Sequence, residues 1–85
     1  MKYLIVEDPR NLKHRFNIFA ADNGTRYIFN DVNWSATIPE LLLSIEHAKL
    51  EQADIPNYWL NRIVLSFDEL PTLSYIEQYY PELLI

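Results

Sequence analysis

Residues 15–30 read RFNIFAADNGTRYIFN, two runs of aromatic and aliphatic residues joined by Asn23 and Gly24. Asn-Gly favours a two-residue type I′ turn, because its positive φ angles match the twist of two antiparallel strands. The turn also sets the register of the strands, and the same register continued along them pairs Phe16 with Asp31. We therefore predict a β-hairpin in this stretch. Its core face is expected to hold Phe16, Ile18, Ala20, Tyr27 and Phe29.

The opposite face of the hairpin mixes basic and apolar side chains. Phe19 and Ile28 are predicted to lie opposite each other there, with basic residues around them. Basic groups that contact phosphates and aromatic rings that stack on bases are typical of nucleic-acid-binding proteins. A second hypothesis is self-association into a homo-oligomer, through Phe19 and Ile28 or through the apolar tail at residues 83–85. The nucleic-acid hypothesis assigns the binding surface to Lys13, Arg15, Phe19 and Arg26.

A helix is predicted to begin after Thr37, where the sequence Thr-Ile-Pro-Glu has the form of a capping box. The Thr37 side chain can accept a hydrogen bond from the backbone of Glu40, and the Glu40 carboxylate can accept one from Thr37. We expect the helix to stop by about Ala53, because residues that lead into a proline such as Pro56 avoid helical backbone. Leu43 lies off its apolar side. That side consists of Ile38, Leu41, Leu42, Ile45 and Ala48.

Two further segments are predicted strands. Residues 3–7 are rich in β-forming side chains, and the composition of residues 8–11, up to Asn11, is typical of a turn. Residues 63–67 have the length and the β-branching of a buried strand. Both segments can therefore extend the sheet that the hairpin begins.

The last predicted element is a short helix that begins after Asp68 or Thr72 and ends at Tyr79. The predicted order of elements is therefore β-β-β-α-β-α. Such an order is typical of an α+β fold, in which a small single-layer antiparallel sheet carries helices packed on one face. With 85 residues and 49% hydrophobic content, the chain suffices for a single compact domain, residues 1–85, built on one core.

The charge of the chain is negative and unevenly distributed, with a net charge of −5. Residues 1–30 carry five basic and three acidic groups, whereas residues 31–85 carry two basic and nine acidic groups. This balance favours a basic protein partner over nucleic acid or an anionic membrane. No apolar stretch is long enough to span a membrane, and the lack of cysteine fits a reducing compartment. We therefore expect a cytoplasmic protein that does not associate with membranes.

Catalytic and cofactor motifs are not found in the sequence. One glycine is too few for a phosphate-binding loop, a dinucleotide fingerprint or a nucleophile elbow. His47 precedes Glu51 by four residues on the predicted helix, but two exposed ligands rarely hold zinc and we expect a solvated pair. His14 has basic neighbours but no second catalytic group, and the acidic pairs at residues 7–8 and 68–69 are expected in turns or at helix starts. We therefore predict no enzymatic activity, no cofactor and no metal site.

Tyrosines and acidic residues are concentrated in the last third of the chain, and no Lys or Arg follows Arg62. Tyrosine offers a large, rigid contact with a polar tip, and carboxylates attract basic surfaces. Tyr75 and Tyr79 are four residues apart on the last predicted helix, so they could instead face the core, and the sequence leaves both alternatives open. The predicted partner-binding residues, which we call the acidic tyrosine surface, are Asp68, Glu69, Tyr75, Glu77, Tyr79, Tyr80 and Glu82.

These properties predict a small acidic protein-binding module that performs no catalysis. Such a module would occupy a basic surface of another protein, as an enzyme inhibitor or a toxin-neutralising protein of the immunity or antitoxin type does. The nucleic-acid-binding face of the hairpin is the alternative, although the acidic remainder of the chain opposes it.

Overall fold

The computed structural model describes residues 1–10, 13–30, 32 and 35–85 of the chain. The strands within these residues are β1 (Lys2–Glu7), β2 (Phe16–Asp22), β3 (Thr25–Phe29), β4 (Leu50–Gln52) and β5 (Ile63–Phe67). They form one antiparallel sheet in the order β4-β3-β2-β1-β5. The helices are α1 (Ile38–Ile45), α2 (Asn57–Leu60) and α3 (Leu73–Tyr79), and a 3-10 turn follows at Pro81–Leu83.

The predicted hairpin is confirmed. Asn23 and Gly24 both have positive φ, 49° and 82°, as a type I′ turn requires. Asp22 lies opposite Thr25, so the turn sets the register that the sequence predicts. The predicted pairing of Phe16 with Asp31 and the turn position of Asn11 lie outside the described residues. On the predicted core face, Tyr27 is half-buried and the buried residues are Phe16, Ile18, Ala20 and Phe29.

The main core lies between one face of the sheet and the two longer helices. Ile5, Ile18 and Leu65 of the sheet pack in the same cluster as Leu41 of α1 and Ile76 of α3. The α+β fold class is therefore confirmed, and both predicted helices pack on one face of the sheet. The longest helix in the described part of the chain, α1, has eight residues, so none of these helices can span a membrane.

A second, smaller core lies on the other face of the sheet. Phe19 is only 1% exposed, and its ring forms a T-shaped contact with the Trp59 ring at a centroid distance of 5.7 Å. Trp59 belongs to α2, an element that the sequence pattern does not predict, and Ile55 closes the same cluster over Val6. The interpretation of this hairpin face as an exposed surface is therefore wrong for Phe19. Its partner Ile28 is half-buried and packs with Trp59 and Leu60 against the same cluster.

Helix α1 is shorter than predicted, and this changes the role of the residues that follow it. The helix ends at Ile45, and Leu50–Gln52 form β4 along the edge of β3. Without β4, the backbone N–H and C=O groups on that edge of β3 would have no strand partner. The pairing of residues 50–52 with β3 therefore outweighs the modest helix propensity of these residues. His47 and Glu51 therefore do not share a helix face, and the metal spacing considered for them does not occur.

The capping box at the start of α1 is present as predicted. The Glu40 backbone N–H donates to Thr37 Oγ1 at 3.4 Å, and the Thr37 backbone N–H donates to Glu40 Oε1 at 3.2 Å. The Thr37 hydroxyl also donates to Glu40 Oε1 at 2.7 Å. The two bonds that the Glu40 carboxylate accepts from the Thr37 hydroxyl and backbone N–H lower the pKa of Glu40, because they favour its charged form.

Replacing Thr37 with alanine is expected to destabilise the protein by about 1 kcal/mol, because the first turn of α1 loses its side-chain acceptor. Thermal unfolding followed by circular dichroism should show a midpoint about 4–8 °C lower. Ser44→Ala is the matched control, since that hydroxyl donates to the Glu40 carbonyl one turn earlier in the same helix and its loss should shift the midpoint much less. Equal shifts in the two variants would contradict a specific role for the cap.

Candidate functional site

Helix α3 determines how the acidic tyrosine surface is presented. Thr72, rather than Asp68, caps the helix, and its side chain accepts a hydrogen bond from the Tyr75 backbone N–H at 3.1 Å. Ile76 is fully buried and fixes the rotation of α3 against the sheet. At 100° per residue, Tyr75 and Tyr79 then lie on one flank of the helix. They remain 41% and 57% exposed, so they do not face the core.

The exposed tyrosines are part of an aromatic cluster. The rings of Tyr75 and Tyr79 lie 4.7 Å apart between centroids, and the rings of Tyr75 and Phe67 form a T-shaped contact with a centroid distance of 6.0 Å. Tyr80 is half-buried, packs against the main core and supports Tyr75 at 6.2 Å. These contacts restrict the rings before any partner binds, which reduces the entropy lost on association.

Two acidic side chains lie beside this cluster. Asp68 and Glu69 directly follow β5, and with Phe67 and Tyr75 they line a depression of about 440 Å³. The Asp68 side chain is 82% exposed and forms a surface ion pair with Lys2 at 3.1 Å. An exposed ion pair of this kind contributes little to stability, so Asp68 can exchange Lys2 for a group on a partner at low cost.

The remaining acidic residues of the predicted surface are placed differently. Glu77 follows the buried Ile76 on α3, whereas Tyr75 precedes it, so the two side chains leave opposite flanks of the helix. Glu82 lies in the 3-10 turn and is exposed. The structure therefore brings together Asp68, Glu69 and Tyr75 around one depression, with Tyr79 next to them, while Glu77 and Glu82 add negative charge on α3 and in the turn beyond it.

An apolar groove next to this depression is not predicted from the sequence. It has a volume of about 520 Å³ and lies between α1 and the segment that leads into α3. Residues 70–72 border both the groove and the depression. The sequence feature that relates to this groove is Leu43, which lies off the apolar side of the predicted helix. The groove, which we call the leucine groove, is lined by Leu42, Leu43, Ile45, Leu70, Pro71 and Leu73.

The basic residues proposed for nucleic-acid binding do not form a common surface around Phe19. The Arg26 guanidinium donates to the Ile55 carbonyl at 3.1 Å, so it holds the segment that covers Phe19. Arg15 pairs with Glu40 at 3.6 Å, next to the start of α1. Lys13 is exposed in the turn before β2. A buried ring cannot stack on a base, and the aromatic part of this hypothesis is therefore wrong.

Asp8, in the turn after β1, is a buried carboxylate that is held by the more exposed side chains of Arg10 and Ser35. The Arg10 guanidinium donates to both carboxylate oxygens, at 3.1 and 2.8 Å, and the Arg10 backbone N–H donates to Oδ1 at 2.8 Å. The Ser35 hydroxyl donates to Oδ2. The Arg10 and Ser35 bonds hold the pKa of Asp8 well below its usual range, against the opposing effect of burial. Asp8 therefore has the turn role that the sequence predicts.

The histidines do not assemble a reactive site with these groups. His14 is half-buried, with a φ of 57°, in the turn before β2, and His47 is exposed after α1. Among the residues that the structure describes, no three His, Asp or Glu side chains are placed to hold a metal ion. The surfaces that stand out are therefore the acidic tyrosine surface and the leucine groove beside it.

Comparison of the chain with protein-family models, with curated proteins and with solved structures finds no match. The geometry and charge of these two neighbouring surfaces are therefore the basis for assigning a function.

Proposed function

We propose that this protein is a non-enzymatic binding module that docks its acidic tyrosine surface onto a basic surface of another protein. Its role would be that of an inhibitor or of a toxin-neutralising protein of the immunity or antitoxin type, acting in the cytoplasm. The observation that carries the proposal is the exposed Tyr75–Tyr79 pair beside Asp68 and Glu69. Large apolar rings that are fixed in place and remain open to solvent gain most when a partner covers them.

The ring pair supports the proposal because much of its ring surface lies outside the core. Tyr75 and Tyr79 expose apolar ring surface, although the neighbouring position Ile76 shows that α3 can bury its side chains. Tyrosine is enriched among residues that dominate binding energy, since one rigid ring buries a large area. The Phe67 and Tyr80 rings behind Tyr75 hold it in place.

The charge around the rings indicates what kind of surface would bind. Residues 63–85 carry four acidic groups and no Lys or Arg. Lys2 is the basic group that pairs with this region in the described part of the chain, and its side chain is largely exposed. A basic partner would be attracted before contact and would add charge-assisted hydrogen bonds to Asp68 and Glu69 after it.

Neutralising Asp68 and Glu69 together is expected to weaken binding of a basic probe. We expect the Asp68→Asn/Glu69→Gln variant to bind a fluorescent hexalysine peptide about fivefold more weakly at low ionic strength, since two exposed charge pairs are lost. Fluorescence anisotropy titrations measure the affinity, and the same titrations at 0.15 M salt should show weaker binding for the unmodified protein.

The control variant Glu51→Gln/Asp54→Asn changes the net charge by the same amount at exposed positions in and after β4. It should retain the affinity of the unmodified protein. Equal losses in the two variants would show that only net charge matters and would contradict the proposed site. Affinity capture at low salt followed by mass spectrometry should recover basic proteins with the control variant and lose them with Asp68→Asn/Glu69→Gln.

A further inference from the structure

The leucine groove exposes apolar side chains that no element of the described chain covers. Leu43 is 67% exposed, and Leu70 and Leu73 are 39% and 37% exposed. Leu42 is half-buried and Ile45 is buried, so the bottom of the groove joins the main core. Covering such side chains would remove apolar area from water, which is favourable in proportion to that area.

The groove is continuous with the proposed docking surface. Leu70, Pro71 and Thr72 form the boundary between the groove and the depression that contains Asp68 and Glu69. A partner of ordinary interface size that contacts Tyr75 would also reach the groove, since a standard interface covers about 800 Å² on each side. The two depressions can therefore be parts of one binding face.

The charge around the groove defines the chemistry of its occupant. The chain contains no Lys or Arg in residues 36–48 or 63–85, the two segments that form the groove and its surroundings. Glu46 lines the groove itself, and Asp68 and Glu69 line the adjoining depression. The described ion pairs near this face are Arg15 with Glu40 and Lys2 with Asp68. An occupant with basic residues flanking an apolar stripe is complementary to such a face.

A second copy of the chain is a poor occupant for the same reason. A two-fold contact would place the same face of one protomer against itself and would bring Glu46, Asp68 and Glu69 of both copies together. Like charges opposed across an interface are destabilising. The partner is therefore expected to differ from this protein in its charge.

The surroundings of the groove also indicate the secondary structure of the segment that would bind there. The edges of the sheet are β4 and β5, and neither strand lines the groove. The groove therefore offers no strand with which an extended peptide could pair. An occupant in a mostly apolar groove must satisfy its own backbone hydrogen bonds, and an α-helix does so within the segment.

We infer that the leucine groove binds a basic amphipathic α-helix of the partner protein, with the apolar stripe of the helix against Leu42, Leu43 and Leu70. Its basic residues reach Glu46 on one side and Asp68 and Glu69 on the other. This inference rests on the proposed function, to which it adds the secondary structure and the side-chain pattern of the bound segment.

Two synthetic peptides with the same Leu and Lys composition test the inference. In the first, leucines are spaced at i, i+3, i+4 and i+7 and form one stripe; in the second, the same leucines are distributed around the helix. We expect the striped peptide to bind about tenfold more tightly in fluorescence anisotropy titrations, because only it can place its leucines in the groove together. The Leu43→Gln variant should lose most of this difference, and it should fold normally because Leu43 is 67% exposed.

The Ile63→Thr variant is the matched control, because Ile63 is an exposed apolar residue on β5, outside the groove. It should bind the striped peptide as the unmodified protein does. Equal affinity for the two peptides, together with weaker binding by Asp68→Asn/Glu69→Gln, would overturn the helix inference and leave the proposed function standing. If neither peptide binds at low salt, both proposals fail.

Discussion

Replacing Phe19 with alanine is expected to lower the free energy of unfolding by about 3–5 kcal/mol. Phe19 is 1% exposed, and its ring is covered by Trp59 and packed in the same cluster as Val6 and Ile55. Alanine would leave a cavity between the sheet and α2, and the surrounding residues could fill it only in part. Urea unfolding followed by tryptophan fluorescence measures the change.

This loss would be a large fraction of the stability of a domain of this size, so a milder variant is needed beside it. Phe19→Leu should fold and show a smaller loss in the same direction. Tyr79→Ala is the control, because it removes an aromatic ring that is 57% exposed and should change stability by less than about 1 kcal/mol. A loss for Phe19→Ala no larger than that of Tyr79→Ala would refute the second core.

Replacing Asp8 with asparagine is expected to lower the free energy of unfolding by about 2–3 kcal/mol at neutral pH. The substitution keeps the size of the side chain but removes the charge that accepts the two guanidinium bonds of Arg10. Asp22→Asn is the matched control, since Asp22 is exposed and its described ion pair is a 3.7 Å contact with the terminal amino group. The control should change stability by less than about 1 kcal/mol.

The Asp8 prediction also has a definite pH dependence. The pKa of Asp8 is lower in the folded protein than in the unfolded chain, so the unfolded chain takes up a proton first as the pH falls. The contribution of the carboxylate is therefore complete above the unfolded pKa of about 3.9 and is lost below it. The difference in stability between the unmodified protein and Asp8→Asn should shrink between pH 7 and pH 2. Parallel pH profiles would contradict this assignment.

The end of α1 shows where sequence reasoning reaches its limit. Residues 46–53 have no strong signal against a helix, and Pro56 sets the predicted end of the helix at about Ala53. The structure instead pairs residues 50–52 with β3, and the Asn30 N–H donates to the Lys49 carbonyl at 2.8 Å. The free edge of β3, which is more than twenty residues away in the chain, decides that residues 50–52 form a strand instead of a helix. The local sequence pattern contains no information about that edge.

The sequence predicts which residues belong to the candidate site but not how they are arranged in space. The sequence identifies Asp68, Glu69, Tyr75 and Tyr79 as an acidic and aromatic group. It cannot decide whether the tyrosines face the core, because i and i+4 spacing is the same on either flank of a helix. The burial of Ile76 decides it in the structure. The leucine groove was missed because its two walls come from segments that lie far apart in the sequence.

Three features follow from the amino-acid sequence alone: the hairpin at Asn23-Gly24, the capping box at Thr37 and the acidic character of the C-terminal third. These features depend on the backbone geometry and the charge of residues close together in the sequence, so a short stretch of sequence is enough to predict each of them. The folded structure is needed to show that Phe19 is buried, that α1 ends at Ile45 and that residues 70–72 border both the leucine groove and the depression beside Tyr75. Each of these features depends on which distant segment covers a surface or forms hydrogen bonds with a free backbone group. Several segments could do so, and the packing of the whole chain determines which one does.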